Sequence, residues 1–373
     1  MYSRNVINHR SLKIAYFAVL LDGPESGAAK KVNEQIKFWS RLDIEVELFV
    51  ITNSSGKKMW ADSEQVRIFI DASGIRKQFL RYKIIKTIIK SNPDLVYIRD
   101  SFPFILPRNR SHAKLILEVQ SNVQAEVFKR SKVKGILSIA LDSLFLRKLN
   151  AFIFVARELS LTRRFQSHIR TGNNLIIPNG IDLSQFEILP TALKKNRRGL
   201  FFIGQDGQPW HGSDQIYELA QHLPDYDFHI VGLTKASEEK SANIFHHGVL
   251  SQADYLPIAA QCVAGIGSLN LFSLNMSEAS PLKTRHYLAM GLPVISRYTD
   301  SDFGNQVPFI LNLPAGHELV STYAAEIRQF CNLWSNKRVA REDIQVIDVN
   351  LKERNRIAFF RAIAAGESQK SST

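Results

Sequence analysis

Short apolar runs alternate along this chain with stretches of helical periodicity, and no other feature of the sequence restricts the fold as strongly. Each run is bounded by turn residues, which is typical of a strand buried on both faces of a parallel sheet. The stretches between the runs repeat apolar side chains every three or four residues, as crossover helices do. In the first half the runs cover residues 12–20, 45–52, 95–98, 114–119 and 151–155, with helices expected at 32–41 and 75–90.

The alternation begins again in the second half, after a segment rich in Pro, Lys, Arg and Asn. Here the runs cover residues 200–203, 228–231, 263–267 and 293–296, with helices expected at 213–221, 252–260 and 284–290. The sequence therefore predicts an α/β protein with two doubly wound, Rossmann-like domains that face a central cleft. The predicted domains are residues 1–185 and 199–345, with a linker at 186–198; at 346–373 we expect a helix that returns to the first domain and a frayed tail.

The composition is that of a folded, soluble protein. Of the 373 residues, 45% are hydrophobic and 22% are charged, which excludes disordered and collagen-like chains. No stretch reaches the roughly 18 uncharged apolar residues that a membrane span needs, and residues 1–11 lack the apolar region of a secretion signal. Cys262 and Cys331 do not make a disulfide framework. We therefore expect a cytoplasmic protein.

In each half of the chain a glycine-containing segment follows the first strand. Residues 22–29 (DGPESGAA) place Gly27 and two alanines at a helix start, where outward N–H groups favour anions. Residues 202–214 (FIGQDGQPWHGSD) place Gly204 at a strand end and Gly212 near a helix start. Each segment also fits an ordinary strand-to-helix turn, so neither indicates a ligand site by itself.

Residues 277–295 (SEASPLKTRHYLAMGLPVI) carry the strongest signal of chemistry. Pro281 fits an early helix position, so Lys283 and Arg285 lie in or near the first turn. The helix dipole disfavours cations at that end, and an anion bound there would explain why two are present. Glu278 precedes the helix and would otherwise be a loop carboxylate near Lys283.

Three segments together resemble a known family. They are IPNGID at 177–182, GVLSQADYLPIAAQCVAGIG at 248–267 and SEASPLKTRHYLAMGLPVI at 277–295. In this order and spacing they are similar to the retaining, nucleotide-sugar-dependent glycosyltransferases of family four (glycosyl transferases group 1), which have the GT-B fold. The resemblance covers most of the chain and implies a nucleotide-diphosphate sugar as co-substrate.

The resemblance also implies roles for individual residues. Glu278 matches the first Glu of the donor signature E-x7-E and Lys283 would stabilise the leaving diphosphate, so these two are the candidate catalytic residues. The other candidate donor-binding residues are Gly204, Gln205, His211, Pro281, Leu282, Arg285 and His286. No D-x-D pair appears in a suitable loop, so neither a metal nor another cofactor is implied.

The chain departs from the family at three of these positions. His286 stands where the second Glu of the signature usually binds the donor ribose. Gln205 and His211 stand where the family commonly has an Arg and a Lys on the donor diphosphate. Lys283 and Arg285 would then replace the missing charge, as in a variant of the family.

The acceptor side is expected in the first domain. Residues 116–126 (ILEVQSNVQAE) resemble the strand end at which the family carries acceptor-side residues. The candidates are Gly27, Glu118, Gln120, Asn122 and Glu126. A purely structural role for Glu118 and Glu126 is the alternative.

The net charge of +13 is concentrated in the first half of the chain. Residues 1–185 hold 30 Lys and Arg against 16 Asp and Glu, a balance of +14, whereas residues 186–373 hold 18 against 19. Residues 128–149 begin with four basic residues and continue with an apolar stretch, which fits a helix lying in a membrane interface. This pattern predicts an anionic membrane surface as a partner, at the inner face of the cell membrane. Solvated crossover helices are the alternative.

These features favour an enzyme that moves a sugar from a nucleotide-diphosphate sugar to a glycan or lipid-linked saccharide acceptor with retention, in bacterial surface polysaccharide synthesis. Three alternatives stay open: a sugar-nucleotide epimerase of the same fold, a catalytically silent donor-binding paralogue, and a basic nucleic-acid-binding protein. The last lacks a recognised motif and aromatic residues among its basic runs, so no nucleic acid is expected.

Overall fold

The computed structural model describes residues 11–21, 26–42, 44–53, 66–72, 75–169, 173–191, 198–233, 241–305 and 307–366. The chain divides into two compact units, and each is described by itself. The first unit comprises Met1–Phe154, Leu159–Ile177 and Glu353–Thr373, and the second comprises Val155–Glu158 and Pro178–Lys352. The division thus falls after Ile177, earlier than the boundary at 185 expected from the sequence.

The strands form two parallel sheets. Their bounds are β1 Leu12–Val19, β2 Ile44–Thr52, β3 Val66–Ile70, β4 Leu95–Arg99, β5 Lys114–Val119, β6 Ala151–Phe154, β7 Asn174–Ile176, β8 Arg198–Ile203, β9 Tyr226–Val231, β10 Ile244–His246, β11 Cys262–Ile266, β12 Glu278–Ala279, β13 Val294–Ser296, β14 Thr299–Asp300 and β15 Ile310–Asn312. The first unit has seven strands in the order β3-β2-β1-β4-β5-β6-β7, and the second has six in the order β10-β9-β8-β11-β13-β15. Strands β12 and β14 pair separately.

Helices α1 to α9 lie between strands in chain order, and α10 and α11 follow the last of the strands given above. Their bounds are α1 Gly27–Ser40, α2 Arg76–Lys90, α3 Val123–Arg130, α4 Lys132–Leu146, α5 Arg157–Ser160, α6 Arg163–Gln166, α7 Ser213–His222, α8 Gln252–Ala259, α9 Leu282–Ala289, α10 Ala324–Trp334 and α11 Val349–Ala365. Short 3₁₀ turns include Pro209–His211 and Glu342–Ile347. Two doubly wound α/β units are therefore confirmed as the fold class.

The sequence pattern located the interior of both sheets and missed their edges. Each strand that it predicted is present, with bounds shifted by two residues at most. Strands β3, β7, β10 and β15 were not predicted, and they are the outermost strands of the two sheets. Edge strands are short and only partly buried, so they lack the continuous apolar run by which a central strand is recognised.

The predicted helix within 128–149 is two helices. Ser131 has an extended backbone (φ −165°, ψ 117°), which ends α3 and begins α4. Its hydroxyl accepts a hydrogen bond from the backbone N–H of Lys134 at 3.4 Å, as an N-cap does. The basic residues at 129 and 130 therefore lie at the end of α3, separate from the apolar residues of α4.

A buried charge cluster lies in the core of the first unit. Glu118 on β5 is 0% exposed and contacts the Lys31 ammonium at 3.1 Å and Arg356 at 3.3 Å. Arg99 lies 3.5 Å away, and the Tyr16 hydroxyl donates to the same carboxylate at 3.1 Å. Burial by itself would raise the pKa of Glu118, but the three cations outweigh it and hold that pKa well below its usual range.

Helix α11 supplies part of this cluster. Arg356 comes from α11, and Glu353 on the same helix accepts a hydrogen bond from the Trp39 indole at 2.8 Å. Apolar residues further along α11 join the core beside Trp39, whose ring meets that of Phe360 at 5.5 Å. Helix α11 thus completes the core of the first unit.

We expect Glu118→Gln to lower the free energy of unfolding of the first unit by about 3–5 kcal/mol, because it removes the carboxylate that pairs with Lys31 and Arg99 and leaves Arg356 with Glu353 alone. Chemical denaturation at pH 7 measures this. The folded pKa of Glu118 lies below its unfolded value, so its contribution is present above about pH 4.3 and is lost as the pH falls further. The difference in the free energy of unfolding between wild type and the Glu118→Gln variant should therefore become smaller below pH 4.

Glu45→Gln is the matched control, because Glu45 pairs with Lys13 on the surface and is 59% exposed. It should shift stability by less than about 0.5 kcal/mol. Equal effects of the two substitutions would contradict a stabilising role for the cluster.

Candidate functional site

Lys283 is a buried cation with no hydrogen-bond partner among the described residues. It is the second residue of α9, only 9% of it is exposed, and its Nζ makes no hydrogen bond. The ammonium lies 4.3 Å from the centroid of the Phe202 ring, at the end of β8. Burial lowers the pKa of Lys283 well below its usual value. A buried ammonium is costly when it is unpaired, so this position is a candidate site for an anion.

His211 lies beside Lys283 and Phe202. Its imidazole meets the Phe202 ring edge-on at 6.1 Å between centroids. Burial, and secondarily the charge of Lys283, lower the pKa of His211 to about 2, so the ring is neutral at pH 7. Its Nδ1 accepts a hydrogen bond from the backbone N–H of Gln205 at 3.4 Å. The proton is therefore on Nε2, which is a hydrogen-bond donor without charge.

The loop that carries His211 is fixed by glycine and by backbone hydrogen bonds. Gly212 has φ +69°, and a Cβ there would approach that of Leu269 to 2.9 Å. The backbone N–H of Leu269 donates to the carbonyl of His211 at 3.1 Å. Gly204 and Gln205 continue β8, and the Gly204 N–H donates to Val231 at 2.8 Å. The structure thus brings together four of the predicted residues: Gly204, Gln205, His211 and Lys283.

The start of α9 is held by the turn at IPNGID. The backbone N–H of Asn179 donates to the Ser280 hydroxyl at 2.8 Å, and its side-chain amide donates to the Ser280 carbonyl at 2.5 Å. Pro281 is the N-cap and Leu282 the first residue of α9, and both are half-buried. The first-turn N–H groups of the helix are the kind of donors that anions bind.

Arg285 is placed differently from the sequence-based expectation. Its guanidinium is 0% exposed and forms a bidentate pair with Asp300 at 2.7 and 3.0 Å. It also contacts Asp302 at 2.9 Å and donates to Ser280 and to the Asn179 carbonyl. Two buried carboxylates therefore compensate its charge. The geometry favours a structural role for Arg285 over the predicted contact with a donor phosphate.

Glu278 takes part in a reciprocal clasp with Glu158. Its two carboxylate oxygens accept the backbone N–H groups of Arg157 and Glu158, each at 2.9 Å. The carboxylate of Glu158 in turn accepts the N–H groups of Ser277 and Glu278, each at 2.7 Å. Both oxygens of Glu278 are thus engaged within the second unit, which favours a positioning role over direct chemistry.

His286 lies on α9, one turn beyond Leu282. Its Nδ1 is 3.0 Å from the hydroxyl of Tyr255, and its ring meets that of Phe186 edge-on at 5.4 Å. Burial raises the pKa of Tyr255 to about 12, so the hydroxyl keeps its proton at neutral pH. The sequence did not single out Tyr255, because nothing in residues 252–260 distinguishes it from a core residue.

The predicted residues of the first unit fall into two groups. Glu118 belongs to the buried charge cluster, which supports the structural alternative for it. Asn122 caps α3 by accepting the Ala125 N–H at 3.2 Å, and Glu126 lies in the first turn of that helix. Gly27 is the exposed first residue of α1; of the segment 22–29, residues 22–25 lie outside the described part of the chain.

Lys31 joins Glu118 to Gln120, and the sequence analysis missed it. Its ammonium donates to Glu118 at 3.1 Å and to the Gln120 side-chain oxygen at 2.9 Å. Burial lowers the pKa of Lys31 to about 8, although Glu118 opposes the shift. The Nε2 of Gln120 is buried without a partner. The available signal was helical spacing, since Lys31 and Gln35 occupy the same inward face of α1 as Phe38.

Comparison with known proteins identifies the fold. No family model matches the sequence, and no curated protein does. Among solved structures, a sucrose-phosphate synthase from Thermosynechococcus elongatus has a TM-score of 0.69 at 12% identity, covering 95% of this chain and 100% of that one. Anabaena Alr3699/HepE, solved in complex with UDP and glucose, has a TM-score of 0.61 at 13% identity, with 94% and 100% covered.

A third similar structure is a putative UDP-N-acetylglucosamine 2-epimerase from Listeria monocytogenes. Its TM-score is 0.56 at 10% identity, with 98% of this chain and 100% of that one covered. At such identities the likeness shows that the chain has the two-unit Rossmann-like fold of these enzymes, and nothing finer. Within the described residues, no helix has the length and apolarity needed to span a bilayer.

We expect Lys283→Met to stabilise the ligand-free protein by about 1–3 kcal/mol at pH 7, because the unpaired buried ammonium is replaced by an apolar chain of similar length. The folded pKa of Lys283 lies below its unfolded value, so the unfolded state binds more protons between the two. Wild-type stability therefore rises with pH in this window, and the advantage of the variant should shrink towards pH 10. Thermal and urea unfolding at pH 7, 8.5 and 10 measure it.

Lys337→Met is the matched control, since Lys337 is exposed in the same unit. It should change stability by less than about 0.5 kcal/mol at every pH. A destabilised Lys283→Met protein would show that Lys283 has a stabilising partner, and would remove the argument for an anion site.

Proposed function

We propose that this protein transfers a glycosyl group, with retention, from a nucleotide-diphosphate sugar to a glycan or lipid-linked saccharide acceptor in bacterial surface polysaccharide synthesis. The observation that carries the proposal is the buried, unpartnered ammonium of Lys283 at the start of α9. The UDP found in the similar Anabaena structure supports the nucleotide part of the proposal.

The site offers three kinds of donor to a leaving diphosphate. Lys283 supplies a charge, the first turn of α9 supplies backbone N–H groups, and His211 supplies Nε2–H. All of them are positioned before a ligand arrives, and preorganised donors are usually the largest protein contribution to such a reaction. His211 thus takes the place of the Lys common in the resembling family by donating a hydrogen bond without a second charge.

The ligand-free site favours the neutral forms of both side chains. A diphosphate placed beside Lys283 would raise the pKa of its ammonium, because the anion compensates the charge that burial disfavours. Binding of the donor is therefore coupled to proton uptake whenever Lys283 is neutral beforehand. This coupling makes donor affinity fall as the pH rises.

The other predicted residues take supporting roles. His286, half-buried beside Tyr255, is proposed to contact the ribose of the donor. Glu278 is proposed to position the segment before α9 through its clasp with Glu158. In the first unit, the unpartnered amide of Gln120 beside Lys31 offers a polar contact for the acceptor. The proposal requires no metal.

An epimerase acting on a sugar nucleotide is the second candidate. The Listeria structure has the same fold, and the same diphosphate contacts would serve either reaction. The two differ in product, since an epimerase returns an intact sugar nucleotide with one inverted centre and a transferase releases the nucleoside diphosphate.

A thermal-shift screen against nucleoside diphosphates and nucleotide sugars tests the proposal. A ligand at 100 times its Kd should stabilise the protein by about 2.7 kcal/mol. The hit is then incubated with saccharide acceptors, and released nucleoside diphosphate and epimeric sugar are measured separately. Failure of every nucleotide to bind would overturn the proposal, and binding without turnover would favour a silent paralogue.

We expect Lys283→Met to lower kcat/KM by roughly 30- to 1,000-fold, the loss of about 2–4 kcal/mol of transition-state stabilisation. The reason is that the variant lacks the charge on the leaving diphosphate. Lys337→Met serves again as the control and should keep full activity. A folded Lys283→Met protein that keeps more than about a tenth of wild-type kcat/KM would place the chemistry elsewhere.

We expect His286→Glu to fold normally and to change the Kd of the nucleoside diphosphate by about threefold or more, because it restores a carboxylate where the family binds the ribose. Titration calorimetry with the ribonucleotide and its 2′,3′-dideoxy analogue measures this. His286→Gln, a neutral hydrogen-bonding control, should differ from the Glu variant. The change in Kd should appear with the ribonucleotide and not with the dideoxy analogue. If wild type and both variants bind each nucleotide with equal affinity, His286 lies outside the site.

A further inference from the structure

Helix α4 has its polarity inverted. Over most of its length it buries small and polar residues, Gly135, Ser138 and Asp142, and only its last turn buries the apolar Phe145 and Leu146. Its exposed residues include five large apolar side chains: Val133 at 78%, Ile136 at 66%, Leu137 at 51%, Ile139 at 52% and Leu144 at 55% exposed. A crossover helix normally turns its apolar face to the sheet. Here the apolar face is turned to the surroundings.

Most of these apolar residues form one stripe. Val133, Leu137, Ala140 and Leu144 follow one another at spacings of four, three and four residues, and Ile136 lies three residues after Val133 and four before Ala140. The stripe runs for about 16 Å along the helix at 1.5 Å per residue. We refer to these five residues as the α4 stripe. Leu146, which the sequence pattern grouped with them, is 2% exposed and faces the core.

Polar contacts on the opposite face fix this orientation. The buried carboxylate of Asp142 accepts hydrogen bonds from the Arg164 guanidinium at 2.9 and 3.1 Å, and Gln124 also donates to it. Arg164 is itself held by Asp100 at 2.5 Å. Turning the helix to hide the stripe would break a buried ion-pair network, which is strongly destabilising. The exposure of the stripe is therefore built into the fold.

The surface around the stripe is basic. Lys129 and Arg130 end α3, and Lys132 and Lys134 begin α4, and all four are exposed. The only acidic residue of α4 is Asp142, which is buried against Arg164. The unit to which the stripe belongs also carries the excess of positive charge. This complementarity favours an anionic lipid bilayer as the occupant, because its surface is charged outside and apolar a few ångströms below.

The loop on which α4 packs carries a further exposed apolar residue. The inner face of α4 packs on this loop through Phe145, whose ring lies 5.2 Å from that of Phe104. Ile105, which lies between the buried residues Phe104 and Leu106, is 53% exposed. Helix α2 holds the same loop, since Arg81 donates to the Phe102 carbonyl at 2.7 Å. On α2, Phe79 is 60% exposed.

We propose that the α4 stripe enters the interfacial layer of an anionic membrane while the four basic residues contact lipid phosphates. The proposal deepens the membrane side of the proposed function and rests on it for the lipid-linked acceptor, but lipid binding itself requires no donor. Insertion of apolar side chains distinguishes it from attraction by charge alone, which salt would abolish.

Vesicle co-sedimentation of the full chain tests the proposal. Vesicles of phosphatidylcholine with 30% phosphatidylglycerol and of phosphatidylcholine alone are compared at 0.1 and 1 M salt, between which the Debye length falls from about 10 to about 3 Å. At 0.1 M salt wild type should bind the anionic vesicles at least about tenfold more tightly than the neutral ones. High salt should weaken binding without removing it, because the stripe stays inserted.

Two variants separate the stripe from the general stickiness of exposed apolar residues. Ile136→Ser/Leu137→Ser/Leu144→Ser should lower binding at least tenfold. The matched control Val249→Ser/Leu319→Ser/Leu333→Ser changes three apolar residues of the second unit that are 68%, 56% and 54% exposed, and it should bind as wild type does. Equal loss in both variants, or retained binding in the first, would overturn the proposal.

Insertion and folding are measured independently. Leu137→Trp should gain fluorescence that brominated lipids quench, whereas unquenched emission on bound vesicles would overturn insertion. The triple α4 variant should keep the wild-type unfolding midpoint and the wild-type thermal shift with nucleotide. If wild type shows a thermal shift with nucleotide but does not bind vesicles, the membrane proposal alone is refuted. If wild type binds vesicles but shows no thermal shift with any nucleotide, the donor proposal alone is refuted.

Discussion

The contrast between Arg285 and Lys283 governs the second unit. The two cations lie two residues apart on one short helix, and only one is compensated within the protein. Arg285 pairs with Asp300 and Asp302 and holds the Asn179 turn against the helix start. Those contacts fix α9, so Lys283 keeps its buried position although no described residue accepts a hydrogen bond from its ammonium. The proposed anion site thus depends on two neighbouring cations, one with a structural role and one whose charge no described carboxylate compensates.

In the first unit the central buried group is an anion rather than a cation. There the buried group is a carboxylate, Glu118, and three cations surround it. Glu353 gives Arg356 a second carboxylate, so each of the three cations has a partner within the protein, and a residue that resembles an acceptor-side Glu becomes part of the core. The acceptor contact that we propose lies at the edge of the cluster, where Lys31 also donates a hydrogen bond to Gln120. Burial alone therefore does not distinguish a site from a scaffold, but compensation does.

The fold could be predicted from the sequence because the central strands of parallel sheets consist of continuous apolar runs, which are easy to recognise. The prediction failed at β3, β7, β10 and β15, which are half-buried and therefore have no such run. For the site, spacing placed Lys283, His211 and Gln205 in one region through the family resemblance. It could not separate Lys283 from Arg285, because the partners of Arg285 lie fifteen and seventeen residues further along the chain and only folding brings them close. The inversion of α4 was invisible for the same reason, since Arg164 determines which face of that helix turns inward.

Helix α11 has a consequence for how the protein is made. The first unit is begun by the first strand of the chain, yet Glu353 and Arg356 close its charge cluster and Phe360 completes its aromatic core. A ribosome that has finished β1 to β7 has therefore produced a sheet whose most buried carboxylate still lacks one of its cations. Synthesis runs from the amino end, and domains usually fold as they emerge. Here the amino-terminal unit must wait until the second unit has been translated, so the unit that emerges later is the one able to finish first.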